Sequence, residues 1–231
     1  MTVKIGLLLF PGVQLLDFVG PYEIFKATRD TETLLIGADT QPIAASCGLP
    51  LQPTISFSDC PQLDVICVPG GGGVNPLLRD EATLSFIRRQ AEGARYVTSV
   101  CTGSLLLGAA GLLKGKKATS HWYAVDFLEK FGAIYTPGRV VRDGNLITAG
   151  GITSGIDFGL VLIAELFGQE EAEAVQLGME YAPKPPFNSG TPEDAPSGAK
   201  ALAEHRLAAS RKIREKIFAD MSGSEVFERP D

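Results

Sequence analysis

Cys101 stands where a β-branched and aromatic run, Tyr96-Val97-Thr98-Ser99-Val100, gives way to a Leu- and Ala-rich stretch that begins at Ser104. The first run has the composition of a buried strand and the second that of a buried helix. A strand that turns sharply into a helix pushes the junction side chain out into a crevice. The small residues Gly103 and Ser104 let the helix pack close behind it. This is the arrangement of a nucleophile elbow, with sulfur in place of the serine oxygen. A free cysteine is otherwise a small buried hydrophobe, and Cys47, Cys60 and Cys67 read that way. A thiol is mostly un-ionised at neutral pH, and a place just ahead of a helix N-terminus favours its anion.

Three further groups are candidates to act with the thiol. Asp17 follows the first strand candidate, residues 3–10, and precedes a helix that the Gly20-Pro21 pair reads as opening, with proline in the first helical position. It therefore falls at the carboxyl edge of the sheet, where open α/β folds bind ligands. A protonated Asp17 donating to sulfur stabilises a thiolate and an ionised one opposes it, so this role requires a desolvated carboxyl with a raised pKa. The competing reading is a turn residue that caps the following helix. The Pro69-Gly70-Gly71-Gly72-Gly73 loop matches neither common phosphate-loop pattern. A loop of this kind also brings backbone N–H groups against a reacting centre, which makes Gly70, Gly71 and Thr102 candidates to hold a developing negative charge. His121 is the candidate base for a Cys–His pair, set against a satisfied structural histidine.

Composition bounds the partners. The chain has 231 residues, a net charge of −6 and 45% hydrophobic residues, an ordinary globular balance with an acidic excess that argues against general nucleic-acid binding. Four cysteines without a CxxC pair, and two histidines, suggest neither a zinc site nor a disulfide framework. The apolar start is short, meets Pro11-Gly12 and lacks a small-residue cleavage pattern, so it reads as a strand, not a signal peptide. No apolar run is long enough to span a bilayer. The expectation is a soluble cytoplasmic protein.

The elements that must position these groups alternate. Strands are expected over residues 3–10, 33–38, 64–68 and 96–100, a small hairpin over 43–52, and a hairpin with Asp143-Gly144 at its turn over 140–148. Helices are expected over 20–28, 82–92, from 104, from Trp122 through Phe131, over 153–167 and over 170–181. This alternation predicts a single-domain α/β/α sandwich with a mainly parallel central sheet. Residues 182–198 are rich in Pro, Ser and Gly and read as an arm or loop. Residues 200–220 read as a mixed-charge amphipathic helix, Arg206, Arg211, Lys212, Arg214 and Lys216 lying on a solvated face.

Asp17, Pro69-Gly70-Gly71, Val100-Cys101-Thr102-Gly103-Ser104 and Ala118-Thr119-Ser120-His121-Trp122 resemble the ThiJ/PfpI superfamily, which has a class I glutamine amidotransferase-like fold. Leu8-Leu9-Phe10-Pro11, Arg142-Asp143-Gly144-Asn145-Leu146, Glu180-Tyr181-Ala182-Pro183 and the Pro-Pro-Phe-Asn arm are similar to the isocyanide hydratases within it. The resemblance runs from Ile5 to Asn188. It implies a catalytic domain over residues 1–188, with residues 189–231 a C-terminal loop and helix packed upon it. It also implies a homodimer that needs no cofactor or metal and hydrates isocyanides to N-substituted formamides. Cys101 is carried over as nucleophile, Asp17 as its acid partner and Thr102 as the neighbour completing the site. Most superfamily members place Glu at the acid position, so the shorter Asp17 must approach sulfur differently. In the expected scheme the thiolate attacks the terminal carbon, the nitrogen takes a proton from Asp17, and water then hydrolyses a thioimidate. Two alternatives stay open: a glyoxalase-like cysteine enzyme of the same superfamily, and a ligand-sensing module. The segment after Asn188 is too short and insufficiently basic for an added helix-turn-helix region.

Overall fold

Val65-Ile66-Cys67-Val68 is buried at every position, as a strand covered on both faces requires. In the computed structural model, which describes residues 2–221, it lies at the centre of the main sheet. Residues 222–231 of the expected C-terminal segment lie outside the described residues. In chain order the strands are β1 (Val3–Leu8), β2 (Thr31–Gly37), β3 (Ile43–Ala44), β4 (Pro50–Leu51), β5 (Ile55–Ser56), β6 (Val65–Val68), β7 (Tyr96–Val100), β8 (Lys117–Ala118), β9 (Ile134–Tyr135), β10 (Val140–Asp143) and β11 (Leu146–Ala149). The helices are α1 (Leu15–Ala27), α2 (Val74–Leu77), α3 (Glu81–Gly93), α4 (Gly103–Ala109), α5 (Ser154–Phe167), α6 (Gln169–Gly178) and α7 (Ser197–Met221).

The main sheet has the order β10-β11-β7-β6-β1-β2-β5, parallel except for the antiparallel β10–β11 hairpin. Two small two-stranded sheets, β3–β4 and β8–β9, lie outside it. Helices α1, α5 and α6 pack together, and α2, α3 and α4 form a second group with α7, giving the expected α/β/α sandwich. On the first side Phe25 meets Phe158 edge to face, and Gly159 admits Ile24 at a distance a side chain would close off.

Two expected elements differ. Proline does not open α1: the helix begins at Leu15 and Pro21 lies inside it. Pro21 has no N–H to give the carbonyl of Asp17, four residues back, and burial of Phe18, Ile24 and Phe25 sustains the helix through that gap. Asp17 therefore sits in the first turn of α1, not in a preceding loop. The segment Trp122–Phe131 is wound as a 3-10 helix, tighter than the α-helix expected; Gly132 closes it in the left-handed conformation.

Register sets the site. Val68 of β6 pairs with Ser99 of β7, and Val100 of β7 pairs with Ala149 of β11. The chain leaving each strand end is thus brought to one edge: Pro69-Gly70-Gly71, Cys101-Thr102 and Gly150-Gly151-Ile152. The β1–α1 connection joins them through Gln14, whose N–H donates to the Gly70 carbonyl at 2.8 Å.

Candidate active site

Cys101 is held with φ at +58°, a left-handed backbone that costs an L-residue about 1–2 kcal/mol. The turn is over-determined by its neighbours. The Cys101 N–H donates to the carbonyls of Ala149 (3.0 Å) and Gly150 (2.8 Å). Its own carbonyl accepts from the hydroxyls of Ser104 (3.2 Å) and Ser120 (3.1 Å). Directly behind the bend, a Cβ on Gly103 would stand 1.9 Å from the Val68 carbonyl oxygen. Only glycine lets α4 start this close to β6.

Asp17 is fully buried. Its Oδ2 accepts the Gly70 N–H at 2.9 Å, while Oδ1 is buried with no hydrogen-bond partner among the described residues. Burial pushes this carboxyl up to about 7, against the smaller opposing effects of the Gly70 N–H and the Cys101 thiol. The carboxyl thus meets the requirement that it hold a proton near neutrality, and it serves as no helix cap. Burial also drives the Cys101 thiol upward, as does an ionised Asp17 beside it; the N–H and hydroxyl of Thr102 act the other way. The two acids share one site and compete for one proton. Burial and the Asp17 charge favour keeping that proton on sulfur, and the two Thr102 donors favour moving it to Asp17, where it would turn the orphaned Oδ1 into a donor.

The glycine loop does something other than expected. The Gly70 N–H is committed to Asp17, and the Gly71 N–H donates to Thr102 Oγ1 at 3.1 Å. Neither amide is free for an oxyanion. Because Gly71 fills the acceptor side of the Thr102 hydroxyl, the hydroxyl proton is directed to sulfur, and Thr102 supplies both its donors to Cys101. Gly70 itself has no room for a side chain: a Cβ would fall 2.6 Å from both the N and Oγ1 of Thr102 and 2.9 Å from Asp17 Oδ2. Gly70→Ala is accordingly expected to displace the acid and the threonine together. Turnover should drop at least tenfold and stability by about 1–3 kcal/mol, checked by steady-state kinetics and urea melts.

His121 borders the same space but is not arranged as a base. Its Nδ1 accepts the Tyr123 N–H at 3.2 Å, which leaves Nε2 to carry the proton. Burial, with the nearby Arg214 cation, lowers its pKa to about 4. The folded protein therefore binds fewer protons here than the unfolded chain between pH 6.5 and 4, so this group's contribution is present above pH 6.5 and lost on acidification. His121→Asn keeps an acceptor for Tyr123 and removes the titration. It should retain turnover within about tenfold and lose less stability between pH 6.5 and 4 than wild type, measured by thermal melts across that range. A loss beyond about 10²-fold would return the histidine to a base role.

The profile of the DJ-1/PfpI family matches residues 3–165. The chain belongs to the DJ-1/PfpI family. It is 58% identical to the isonitrile hydratase of Pseudomonas putida over 94% of this chain and 95% of that protein. A ThiJ/PfpI family protein from Pseudomonas syringae, known by crystal structure, superposes with a TM-score of 0.91 at 42% identity, covering 94% of this chain and 91% of that one. The HTH-type transcriptional regulator CdhR of Pseudomonas aeruginosa is 30% identical over 78% of this chain, which spans 55% of the regulator.

In this DJ-1/PfpI chain a cavity of about 180 Å³ opens over Cys101 and Thr102. Its walls come from Gln14, Gly71 and Gly72, from His121, Tyr123 and Ile152, and from Leu207, Ser210, Arg211 and Arg214 of α7. A dry cavity of roughly 150 Å³ accommodates benzene, so an aryl or cycloalkyl ligand fits. The α7 wall corrects the expected solvated face in part: Arg206, Lys212 and Lys216 are exposed as expected, whereas Arg214 is buried with Phe218 and Met221. Arg211 crosses to the Asp126 carboxylate and the Tyr123 carbonyl. Leu207, Arg214, Phe218 and Met221 recur at spacings of seven, four and three, a helical stripe that contains the arginine. Among the described residues no three His, Cys, Asp or Glu side chains cluster as a metal site would need.

Proposed function

We propose that this protein hydrates isocyanides, R–N≡C, to N-substituted formamides through a covalent thioimidate on Cys101. The near full-length likeness to isonitrile hydratase carries the reading. The geometry supports it: a cysteine on a strained elbow, a carboxyl that holds its proton to about pH 7, and a small, largely apolar cavity above them.

The cycle starts with the proton on Asp17 and the charge on sulfur. The thiolate forms a C–S bond to the terminal carbon. That attack leaves the lone pair on the same carbon, so the Asp17 proton is delivered there and not to nitrogen as the sequence reading had it, giving R–N=CH–S–Cys101. Asp17, now ionised, takes a proton from water as hydroxide adds to carbon, and passes it to nitrogen. Collapse of R–NH–CH(OH)–S–Cys101 breaks the C–S bond, expels the thiolate and returns the hydroxyl proton to Asp17. Formamide R–NH–CHO leaves, and both groups are back in their starting states. The roles assigned to Cys101, Asp17 and Thr102 belong to this proposal. Gly70 and Gly71 act within it by holding the acid and the threonine.

The same reading takes residues 1–188 as the catalytic unit and the described part of the 189–231 segment, through α7, as packed on it and walling the cavity. It places the enzyme in the cytoplasm as a homodimer. No described helix is long and apolar enough to cross a membrane. Exposed Leu16, Val161, Leu177 and Phe187 on α1, α5, α6 and the following arm supply apolar surface for a second copy. Sedimentation should return twice the 24.5 kDa chain mass. For the reaction, proton NMR of cyclohexyl isocyanide with enzyme should show the formyl signal of the formamide growing catalytically. No formamide, with methylglyoxal converted to lactate instead, would overturn the assignment.

A further inference from the structure

Arg214 is 5% exposed, and its burial is organised. Its Nε donates to Asn75 Oδ1 at 3.1 Å. Asn75 is itself buried and anchored through Nδ2 to the Ser210 carbonyl (3.1 Å) and hydroxyl (3.2 Å). The guanidinium lies 5.5 Å from the centre of the Phe127 ring. Among the described residues no carboxylate forms an ion pair with it; Asp126, whose charge acts on it, and the adjacent Glu215 are both bound by Arg211. A buried cation without a counter-charge is costly, and a site that keeps one is arranged to meet an anion. The Arg214 side chain faces the cavity it shares with Cys101.

We propose that Arg214 is the counter-ion of the Cys101 thiolate, a positioning residue that places the proton of the Asp17–Cys101 pair on Asp17. This rests on Cys101 being the nucleophile of the proposed reaction. The groups facing the pair come from five elements, one of them β6, whose buried Cys67 thiol senses the Asp17 charge and is itself held un-ionised by burial. The Gly70 N–H on the β6–α2 loop favours an ionised Asp17. The N–H and hydroxyl of Thr102 favour an ionised Cys101, and His121 stays neutral. Arg214 is the unpaired cation among them; it lines the same cavity as Cys101 and its charge acts on His121. Arg211 and Asp126 flank Arg214 with opposite charges that neutralise each other. With the anion on sulfur balancing Arg214, and Arg211 of the same wall paired with Asp126, the site is balanced for a neutral isocyanide.

The test reads sulfur ionisation directly, independently of isocyanide chemistry. Alkylation of Cys101 by iodoacetamide is followed against pH by quantitative peptide mapping, which separates it from the exposed Cys47, in wild type, Arg214→Met, Arg214→Gln and Arg214→Lys, each checked for a cooperative melt. In Met and Gln variants the midpoint of the rate profile should move up by about one pH unit or more, with at least a tenfold slower reaction at pH 7. The Lys variant should recover most of the wild-type profile. An unchanged midpoint in whichever of the neutral variants folds would overturn the proposal, even if turnover fell, because packing alone would then explain the loss. A shifted midpoint in an enzyme that makes no formamide would sink the isocyanide reading and leave the counter-ion role standing.

Discussion

Cys101→Ala is expected to bring formamide production down to the uncatalysed rate, a loss of more than about 10⁴-fold. Nothing else in the cavity replaces a sulfur nucleophile. Thr102 has its hydroxyl between the Gly71 N–H and sulfur, and His121 has one nitrogen occupied and the other protonated. Cys101→Ser should be equally inactive, since a serine hydroxyl is far harder to ionise and the site offers its charge stabilisation to an anion already formed. The backbone clamps from Ala149, Gly150, Ser104 and Ser120 remain, so the variant should still fold, with a loss of up to about 3–5 kcal/mol where Arg214 is left buried without its counter-charge. Kinetics by NMR and a thermal melt on the same sample separate lost chemistry from lost structure.

The second large effect concerns the acid. Asp17→Asn keeps an oxygen for the Gly70 N–H and an N–H for sulfur, but it has no proton to give. Turnover should fall about 10²–10⁴-fold while iodoacetamide still alkylates Cys101 at pH 7 within a few-fold of the wild-type rate. Stability should move in the opposite sense. Asp17 holds its proton to about pH 7 when folded and to about 3.8 when unfolded. Between those values folding takes up a proton, so wild-type stability falls as pH rises through the window. The variant escapes that penalty and should gain on wild type between pH 5 and pH 8, by at most about 3 kcal/mol. Urea melts at the two pH values measure it. A variant that turns over normally, or that loses stability relative to wild type at pH 8, would remove Asp17 from the role assigned to it.

The elbow was legible in the sequence because its requirements are local: a β-branched strand, a junction cysteine and small residues behind it. The mainly parallel sheet followed from alternating elements, and the 140–148 hairpin from Asp143-Gly144. Asp17 was placed at the right edge of the sheet but outside the helix that carries it, since a proline inside α1 reads as a start unless the burial of its flanking residues is known. The glycine loop shows a different limit. Its composition told of close backbone approach, yet whether the Gly71 N–H meets a substrate or the Thr102 hydroxyl depends on distances of a few tenths of an ångström between loops that are far apart in the chain. Arg214 was read as solvated because charges of both signs surround it along α7. Its place in the stripe with Leu207, Phe218 and Met221 was the available signal, and it was outweighed by the charge pattern. Asn75, which holds Arg214 from 139 residues away, left no local mark at all.

The central claim is a covalent bond between Cys101 and substrate carbon. The most direct measurement is rapid-quench intact-mass spectrometry of the enzyme mixed with an aryl isocyanide, followed by peptide mapping. The account predicts a transient species heavier by the full mass of the isocyanide, mapped to Cys101, decaying at the rate at which formamide appears and absent from Cys101→Ala. Formamide released at full rate with no such species on the quench timescale, or from the Cys101→Ala enzyme, would contradict it.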